Sequence, residues 1–363
     1  MQPRCARPSG PSCWWRWQPR PNNAGVDRIL LFIACAVLAL FAPGLELGPW
    51  HAQVAVYLHG LLLEAFPWLL LGALLAAIAE ELLPDGLLPG LARRLGPWAV
   101  PGTALVAPLM PMCECGIVAV VRGLIAKGLP AHLCITFLLA APILNPIVLA
   151  TTWMAFQDWR LVVLRGACGF AIACLAGALA ARAGAARLLC SPPALSLAGV
   201  RVSLAGARPY VPEHTAPVAN AVLAAPARGH RDLLRGIARR SLGHALDIAA
   251  IFVAGAFLAA MAKASIPAEL IATVGGGTFS GPLLGAGLAI ALSVCAETDA
   301  FLAATFTGMA PAAILCFLVV GPMLDLKLLL MYRGVFTGRT VLYLALGIPL
   351  SAIVLSLLAG AAW

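Results

Sequence analysis

Apolar runs long enough for a helix to cross the hydrocarbon core of a bilayer recur along this chain. After a first, shorter segment at 29–41, they lie at 54–83, 100–121, 131–156, 161–181, 242–261, 282–306, 310–331 and 341–362. Since 62% of the residues are hydrophobic and only 11% are charged, no soluble domain is expected beside them. The sequence predicts an all-α polytopic membrane protein that begins with one N-terminal span.

The basic residues are concentrated in two regions that cannot bury an apolar core. One is a disordered N-terminal tail at 1–28, and the other is an Arg, Pro and Ala-rich linker at 182–240. Such segments are typical of the cytoplasmic side, so the net charge of +9 does not indicate nucleic acid as a partner. The predicted organisation is completed by a first span and loop at 29–53 and by two membrane units at 54–181 and 241–363.

Two apolar regions contain acids and cysteines where a membrane span normally has neither. The first carries Cys113, Glu114 and Cys115, and the second carries Cys295, Glu297 and Asp299. Carboxylates and irregular backbone are strongly disfavoured against lipid, so both regions are expected to line a polar route across the bilayer. The pattern therefore favours a transporter of a small molecule or ion.

The two membrane units are predicted to be internal repeats. The pairs Cys115 and Cys295, Pro142 and Pro322, and Asn145 and Asp325 are each 180 residues apart, and Glu64 and Asp247 are 183 apart. Internal repeats are a recurring feature of secondary transporters, in which the binding site lies where the halves meet. Duplication retained only for packing is the alternative.

Charge distribution favours inverted repeats. If every apolar segment crossed, five spans would separate the basic tail from the basic linker and place them on opposite sides. The segment at 100–121 contains Pro101, Pro108 and Pro111, so it is expected to be broken and to re-enter on the same side. Arg160, Arg165 and Lys263 then fall on the outer side.

A second break is expected at Pro142 to Pro146, where two prolines flank Asn145, and again from Pro322 to Asp325. Broken helices in transporters direct half-helix ends toward substrates or ions. A simple kink is the alternative reading of one such motif, and its repetition favours a break.

These motifs resemble those of a bacterial predicted-permease family that includes the organoarsenical efflux permeases. The resemblance rests on 111–117 (Pro-Met-Cys-Glu-Cys-Gly-Ile), Arg122, Lys127-Gly128, 140–146, 295–301 and 321–328, and it covers roughly 61–358 without the linker. It implies a permease of duplicated architecture in the bacterial inner membrane, with metalloid efflux as a candidate activity.

The candidate binding residues are of two chemical types. Cys113, Cys115 and Cys295 could offer thiolates to a soft metal or metalloid if the backbone at the first two is not helical, and otherwise they pack as small apolar residues. The acids could carry protons or bind an ion, or they could form structural pairs, such as Glu114 with Arg122 or Lys127 and Asp325 with Lys327. The predicted site residues are Cys113, Glu114, Cys115, Asn145, Cys295, Glu297, Asp299 and Asp325, with Pro142, Pro146 and Pro322 in structural roles and Glu64 and Asp247 as weaker candidates.

Enzymatic activity is not expected. The chain has no His-Glu-x-x-His zinc motif, no Gly-x-Ser-x-Gly elbow and no Walker motif, and no cofactor is expected. A lipid-handling enzyme or a passive channel would also place acids in the membrane, and these remain the alternatives to a proton-coupled exporter. The expected partners are the bilayer, a small solute, protons, and a second copy or an accessory subunit.

Overall fold

The computed structural model of the chain describes residues 49–82, 87–110, 112–183, 188–189, 195–197, 200–202, 230–265, 277, 279–306 and 308–360. The predicted tail at 1–28, the apolar segment at 29–41 and most of the linker lie outside the described residues. The domain boundaries drawn in those regions therefore stay predictions.

The described chain is helical almost throughout, which confirms the all-α fold class. The first half contains α1 (Pro49–Leu82), α2 (Leu87–Leu95), α3 (Ala99–Val106), α4 (Glu114–Ala126), α5 (Ala131–Ile143), α6 (Pro146–Phe156) and α7 (Trp159–Ala183). The second contains α8 (His230–Ser265), α9 (Ser280–Leu292), α10 (Asp299–Ala304), α11 (Pro311–Val320), α12 (Leu326–Arg333) and α13 (Gly338–Gly360). Short 3₁₀ turns occupy Gly96–Trp98 and Ala107–Leu109, and β1 (Leu195–Leu197) pairs antiparallel with β2 (Val200–Val202).

Five helical stretches among the described residues are long and apolar enough to cross a bilayer. They are Ala52–Ala79, Ala131–Phe156, Trp159–Ala183, Arg235–Ser265 and Gly338–Gly360. An α-helix satisfies its own backbone hydrogen bonds, which lipid cannot do, and this explains why these apolar sequences fold as helices. The polytopic membrane architecture predicted from the sequence is confirmed.

The first half is broken where the prolines of 100–121 predicted a break. Helix α3 ends at Val106, Met110 and Cys113 have extended backbone (φ −96°, ψ 93° and φ −69°, ψ 165°), and α4 begins at Glu114. The matching region of the second half breaks after Leu292, where Ser293 adopts a left-handed conformation (φ 48°, ψ 45°), and the helix resumes at Asp299. Both acid-bearing motifs therefore lie at interruptions between short helices.

The second pair of predicted interruptions consists of true breaks rather than kinks. Helix α5 ends at Ile143, and the Asn145 side chain caps α6 by accepting a hydrogen bond from the Ile147 amide at 3.0 Å. In the other half, Asp325 caps α12 by accepting from the Leu328 amide at 2.6 Å. A side-chain oxygen at this position accepts a hydrogen bond from a backbone amide that has no partner within the new helix. Asn145 and Asp325 therefore have the same capping role.

Two glycines bring these broken segments against the long helices. A Cβ on Gly72 in α1 would lie 2.5 Å from the Gly116 carbonyl oxygen, and one on Gly255 in α8 would lie 2.9 Å from the Lys327 Cα. Helices α1 and α8 also pack against each other. Small residues permit close helix approach in membranes, and here they hold α4 and α12 beside the central α1–α8 pair.

The order of long helix, broken segment, capped break and terminal helix is the same in both halves. Whether the halves are related by inversion stays a prediction. Helix α8 begins at His230, within the segment 182–240 that was predicted as a linker, and α1 begins at Pro49, within the predicted loop at 29–53. The domain boundaries themselves stay predictions. Helix formation continues past the apolar stretch because a helix needs no apolar side chains outside the lipid.

Candidate functional site

The two broken acidic motifs meet in the structure. The Cys295 thiol lies 3.0 Å from Glu297 Oε2 and 3.7 Å from Glu114 Oε2, although Glu114 and Cys295 are far apart in sequence. The ligand atoms of these three side chains lie within 4.8 Å of one another. We refer to the group formed around them as the central cluster, which comprises Glu64, Cys113, Glu114, Cys115, Cys295, Glu297, Asp325 and Lys327.

The three predicted thiols lie together in the central cluster. Cys113 lies close enough to Cys115 and Cys295 for an electrostatic interaction with both, and all three thiols are free and buried. Two cysteines separated by one residue would project about 200° apart in a continuous helix. Because Cys113 precedes the first helical residue and has extended backbone, its thiol is not held to that geometry. The condition set for shared ligation is met.

Lys327 joins the two halves at the N-terminus of α4. Its Nζ lies 2.9 Å from Glu114 Oε1 and 3.0 Å from Asp325 Oδ2, and it donates a hydrogen bond to the Ser293 carbonyl at 3.1 Å. The sequence suggested Arg122 or Lys127 as partners for Glu114, yet the cation on Glu114 comes from the opposite half. Since Lys327 is only 2% exposed, this ion pair is closed off from solvent.

Ser293 supports this arrangement from the break in the second half. Its hydroxyl accepts a hydrogen bond from the Leu326 amide at 3.3 Å and donates one to the Ile290 carbonyl at 3.0 Å. The left-handed backbone at Ser293 turns its carbonyl toward the Lys327 ammonium. The motif carrying Cys295 is therefore fastened directly to the beginning of α12.

Glu64, a weaker candidate from the sequence, belongs to the central cluster. Its carboxyl on α1 interacts with the side chains of Cys295 and Thr298, and it lies close enough to Glu114 and Lys327 for electrostatic coupling. Glu64 and Glu297 are partly exposed, whereas Glu114 and Asp325 are buried, so the first two mark the more accessible side. The side chain of Asp247, its predicted counterpart, lies outside the described residues.

Asp299 has a partner that its sequence neighbourhood did not indicate. Arg165 Nη2 lies 2.6 Å from Asp299 Oδ2, Arg165 Nη1 lies 3.1 Å from Oδ1, and the same Nη1 donates to the Thr152 hydroxyl at 2.7 Å. The predicted topology places Arg165 on the outer side of the membrane, which stays a prediction, and the structure shows that its side chain is fully buried. An Arg inside an apolar span was the available signal, since such a cation requires a partner.

Asn145 is buried at the break between α5 and α6. Its Oδ1 caps α6, whereas Nδ2 has no hydrogen-bond partner among the described residues. Pro142 lies in the last turn of α5, Pro146 is the first residue of α6, and Pro322 lies in the turn before Asp325. Proline needs no amide partner at a helix start, so Pro146 fits its position.

The structure thus brings together six of the eight predicted site residues in the central cluster: Cys113, Glu114, Cys115, Cys295, Glu297 and Asp325. It adds Lys327, which the sequence suggested only as a pairing partner of Asp325. Four carboxyl groups and one ammonium share the cluster, so acidic side chains outnumber the basic one. Thiols and carboxylates at this spacing are suited to holding a cation or a thiol-seeking solute.

The chain is similar over most of its length to a family of predicted permeases and to two bacterial proteins. The family model described as "Predicted permease" matches residues 51–361. UPF0718 protein YcgR of Bacillus subtilis (strain 168) is 30% identical over 286 residues, which cover 78% of this chain and 89% of that protein.

A second relative comes from Streptococcus mutans serotype c (strain ATCC 700610 / UA159). It carries the provisional name of two-component membrane permease complex subunit and is 32% identical over 302 residues, covering 80% of this chain and 88% of its own. No solved structure matches. The matched region contains every residue of the central cluster, and the chain therefore belongs to the predicted-permease family of multi-pass bacterial membrane proteins.

Proposed function

We propose that this permease exports a small thiol-binding solute, a soft metal ion or a trivalent organoarsenical, in exchange for protons. The observation that carries the proposal is the convergence of Cys113, Cys115 and Cys295 beside Glu114 and Glu297. Soft thiolate ligands select soft cations, and trivalent arsenic has the same preference.

The thiols account for recognition of an organoarsenical. A trivalent arsenic oxide of the form R–As=O reacts with two thiols, so that two arsenic–sulfur bonds replace two S–H bonds and one water molecule leaves. Cys113 offers such a pair with either Cys115 or Cys295, because it lies beside both. The Cys113–Cys295 pair would join the two halves, and for that reason it is the pair expected to respond to movement between them.

The acids account for coupling to protons. Four ionised carboxylates around one lysine would be costly in a low-dielectric environment, and taking up protons removes that cost. Arrival of a cationic solute would have the same effect, so solute and protons compete for one cluster. Glu297 is the suggested exchange residue, since it contacts Cys295 directly and is more accessible than Glu114.

We further propose that the protein works with a second subunit. The support is the Streptococcus mutans relative, whose name describes it as part of a two-component permease complex. A second copy of this chain is the other expected partner. Purification of the tagged full-length protein from its native membrane would show which of the two accompanies it.

Everted membrane vesicles test the export proposal, because uptake into them corresponds to efflux from the cell. Uptake of phenylarsine oxide should require a proton gradient and should fall at least tenfold in Cys295→Ser and in Glu297→Gln. Cys134→Ser and Glu81→Gln are matched controls, since these residues lie outside the central cluster. Uptake that persists after an uncoupler is added would instead identify a passive channel.

A further inference from the structure

Glu114, Cys295 and Glu297 form a second set of possible ligands that shares only Cys295 with the three thiols. It provides one sulfur and two carboxylate oxygens from the two broken segments. This set is chemically harder than three thiolates, because oxygen ligands suit harder metal ions. The central cluster therefore contains two different sets of possible ligands, and both sets include the Cys295 sulfur.

The distances fit a tetrahedral metal ion. With zinc bonds of about 2.3 Å to sulfur and about 2.0 Å to oxygen, sulfur and oxygen ligands should be roughly 3.5 Å apart. The observed separations from Cys295 Sγ are 3.0 Å to Glu297 and 3.7 Å to Glu114, on either side of that value. Rotation of side chains, without movement of helices, would complete the geometry.

The contacts of Glu114 also support a metal site at Glu114, Cys295 and Glu297. Its Oε1 is held by Lys327, whereas its Oε2 faces Cys295. A ligating carboxylate is commonly oriented by an outer contact of this kind, which leaves the other oxygen for the metal. Lys327 is in turn fixed by Asp325 and by the Ser293 carbonyl. These contacts around Lys327 orient the Glu114 carboxylate toward the Cys295 sulfur.

The ligand types narrow the choice of ion. Magnesium and calcium take oxygen ligands, and monovalent copper prefers sulfur, so a mixed set of one thiolate and two carboxylates favours a borderline divalent cation.

We propose that Glu114, Cys295 and Glu297 bind a divalent cation of the zinc and cadmium class, in competition with trivalent arsenicals for Cys295. This inference rests on the proposed function in treating the central cluster as the solute site, and it adds the class of metal. It assigns the two carboxylates a ligand role in addition to proton exchange.

Cobalt(II) titration of the purified full-length protein in detergent provides the test. A tetrahedral site with one thiolate should give intense visible bands and a sulfur-to-cobalt band in the near ultraviolet, saturating at one equivalent. Cys295→Ser should lose the sulfur band, and Glu297→Gln should weaken binding at least tenfold. Glu297→Asp keeps a carboxylate and should retain binding, which separates ligand loss from misfolding. Cys134→Ser and Glu81→Gln should behave as the unaltered protein does.

Competition distinguishes this inference from the proposed function. Phenylarsine oxide added first should abolish the cobalt bands, and Glu297→Gln should still bind the arsenical. Cobalt affinity unchanged in Glu297→Gln would overturn the metal site, even if arsenical export continued. Cobalt binding at one equivalent in a protein that neither binds nor exports the arsenical would support the metal site and reject the arsenical as the solute.

Discussion

Among the described residues, the two basic side chains Arg165 and Lys327 are buried between the two halves, and their surroundings differ. Arg165 meets one acid, Asp299, through two hydrogen bonds, and Thr152 accepts a third. Lys327 is shared between Glu114 and Asp325 beside thiols and further acids. The first group is balanced, with one positive and one negative charge, whereas the second has more acids than cations.

This difference separates the expected roles of the two groups. A charge-balanced pair that joins Arg165 to Asp299 through two hydrogen bonds is suited to holding helices together. A cluster with excess acid must take up protons or a cation, so its occupancy can change. Asp299 was predicted from sequence as a site residue. Its pairing with Arg165 favours a structural role, and the following changes test the distinction.

The largest loss of stability is expected from Arg165→Leu. Removing the guanidinium leaves Asp299 buried without a partner, and breaking a buried pair in this way costs about 3–5 kcal/mol. Thermal unfolding of the purified protein in detergent would measure it. Arg94→Leu is the control, because Arg94 is exposed on α2 and a surface substitution should change stability by about 0.5 kcal/mol or less. A stable Arg165→Leu protein without transport would instead place Asp299 in the functional site.

Lys327→Met should have the next largest effect on stability and should also abolish transport. We expect a cost of about 3 kcal/mol, at the low end for a broken buried pair, because the remaining acids lie beside the partly exposed Glu64 and Glu297. Lys327→Arg retains the charge and should keep part of both properties. Vesicle uptake and thermal unfolding would be measured together. Normal uptake in Lys327→Met would show that the cluster does not require this cation.

Thr152→Val removes one hydrogen bond from the Arg165–Asp299 pair, whereas Arg165→Leu removes the whole guanidinium. The change removes the acceptor of one hydrogen bond from Arg165 Nη1 while keeping the shape of the side chain. A hydrogen bond to a charged group contributes roughly 1.5–3 kcal/mol, so the melting temperature should fall, with uptake per folded molecule unchanged. Thr151→Val, at the preceding residue, is the control, because among the described residues the Thr151 hydroxyl bonds only to the Val148 carbonyl. A fall in uptake without loss of stability would contradict the structural role.

The smallest effect on stability is expected from Asp325→Asn. Asparagine caps a helix about as well as aspartate, and Asn145 already does so in the first half. Lys327 keeps Glu114, so the loss should stay below about 1 kcal/mol, while Asp325→Ala should cost about 1 kcal/mol more by removing the cap. Comparison of the two melting temperatures isolates the cap from the charge. Equal values would show that capping contributes nothing there.

The local features of the site were accessible from sequence. Proline spacing predicted both kinds of break, and the extended backbone at Cys113 and the capping by Asn145 and Asp325 follow from residues within a few positions. The pairing of Arg165 with Asp299 was not accessible, because the two residues are 134 positions apart and no local rule selects one buried acid over another.

The sequence by itself determined that the chain enters the membrane, where its helices break, and which side chains are too polar to face lipid. These properties depend on the local cost of exposing a polar group or an unpaired backbone amide to hydrocarbon, which a short stretch of residues sets. Only the tertiary structure decided which cation meets which acid, because a buried charge is stabilised by neighbours that lie close in space. The close approaches at Gly72 and Gly255 place α4 and α12 beside the central helices and so assemble the central cluster, whereas the Arg165–Asp299 pair joins α7 to α10.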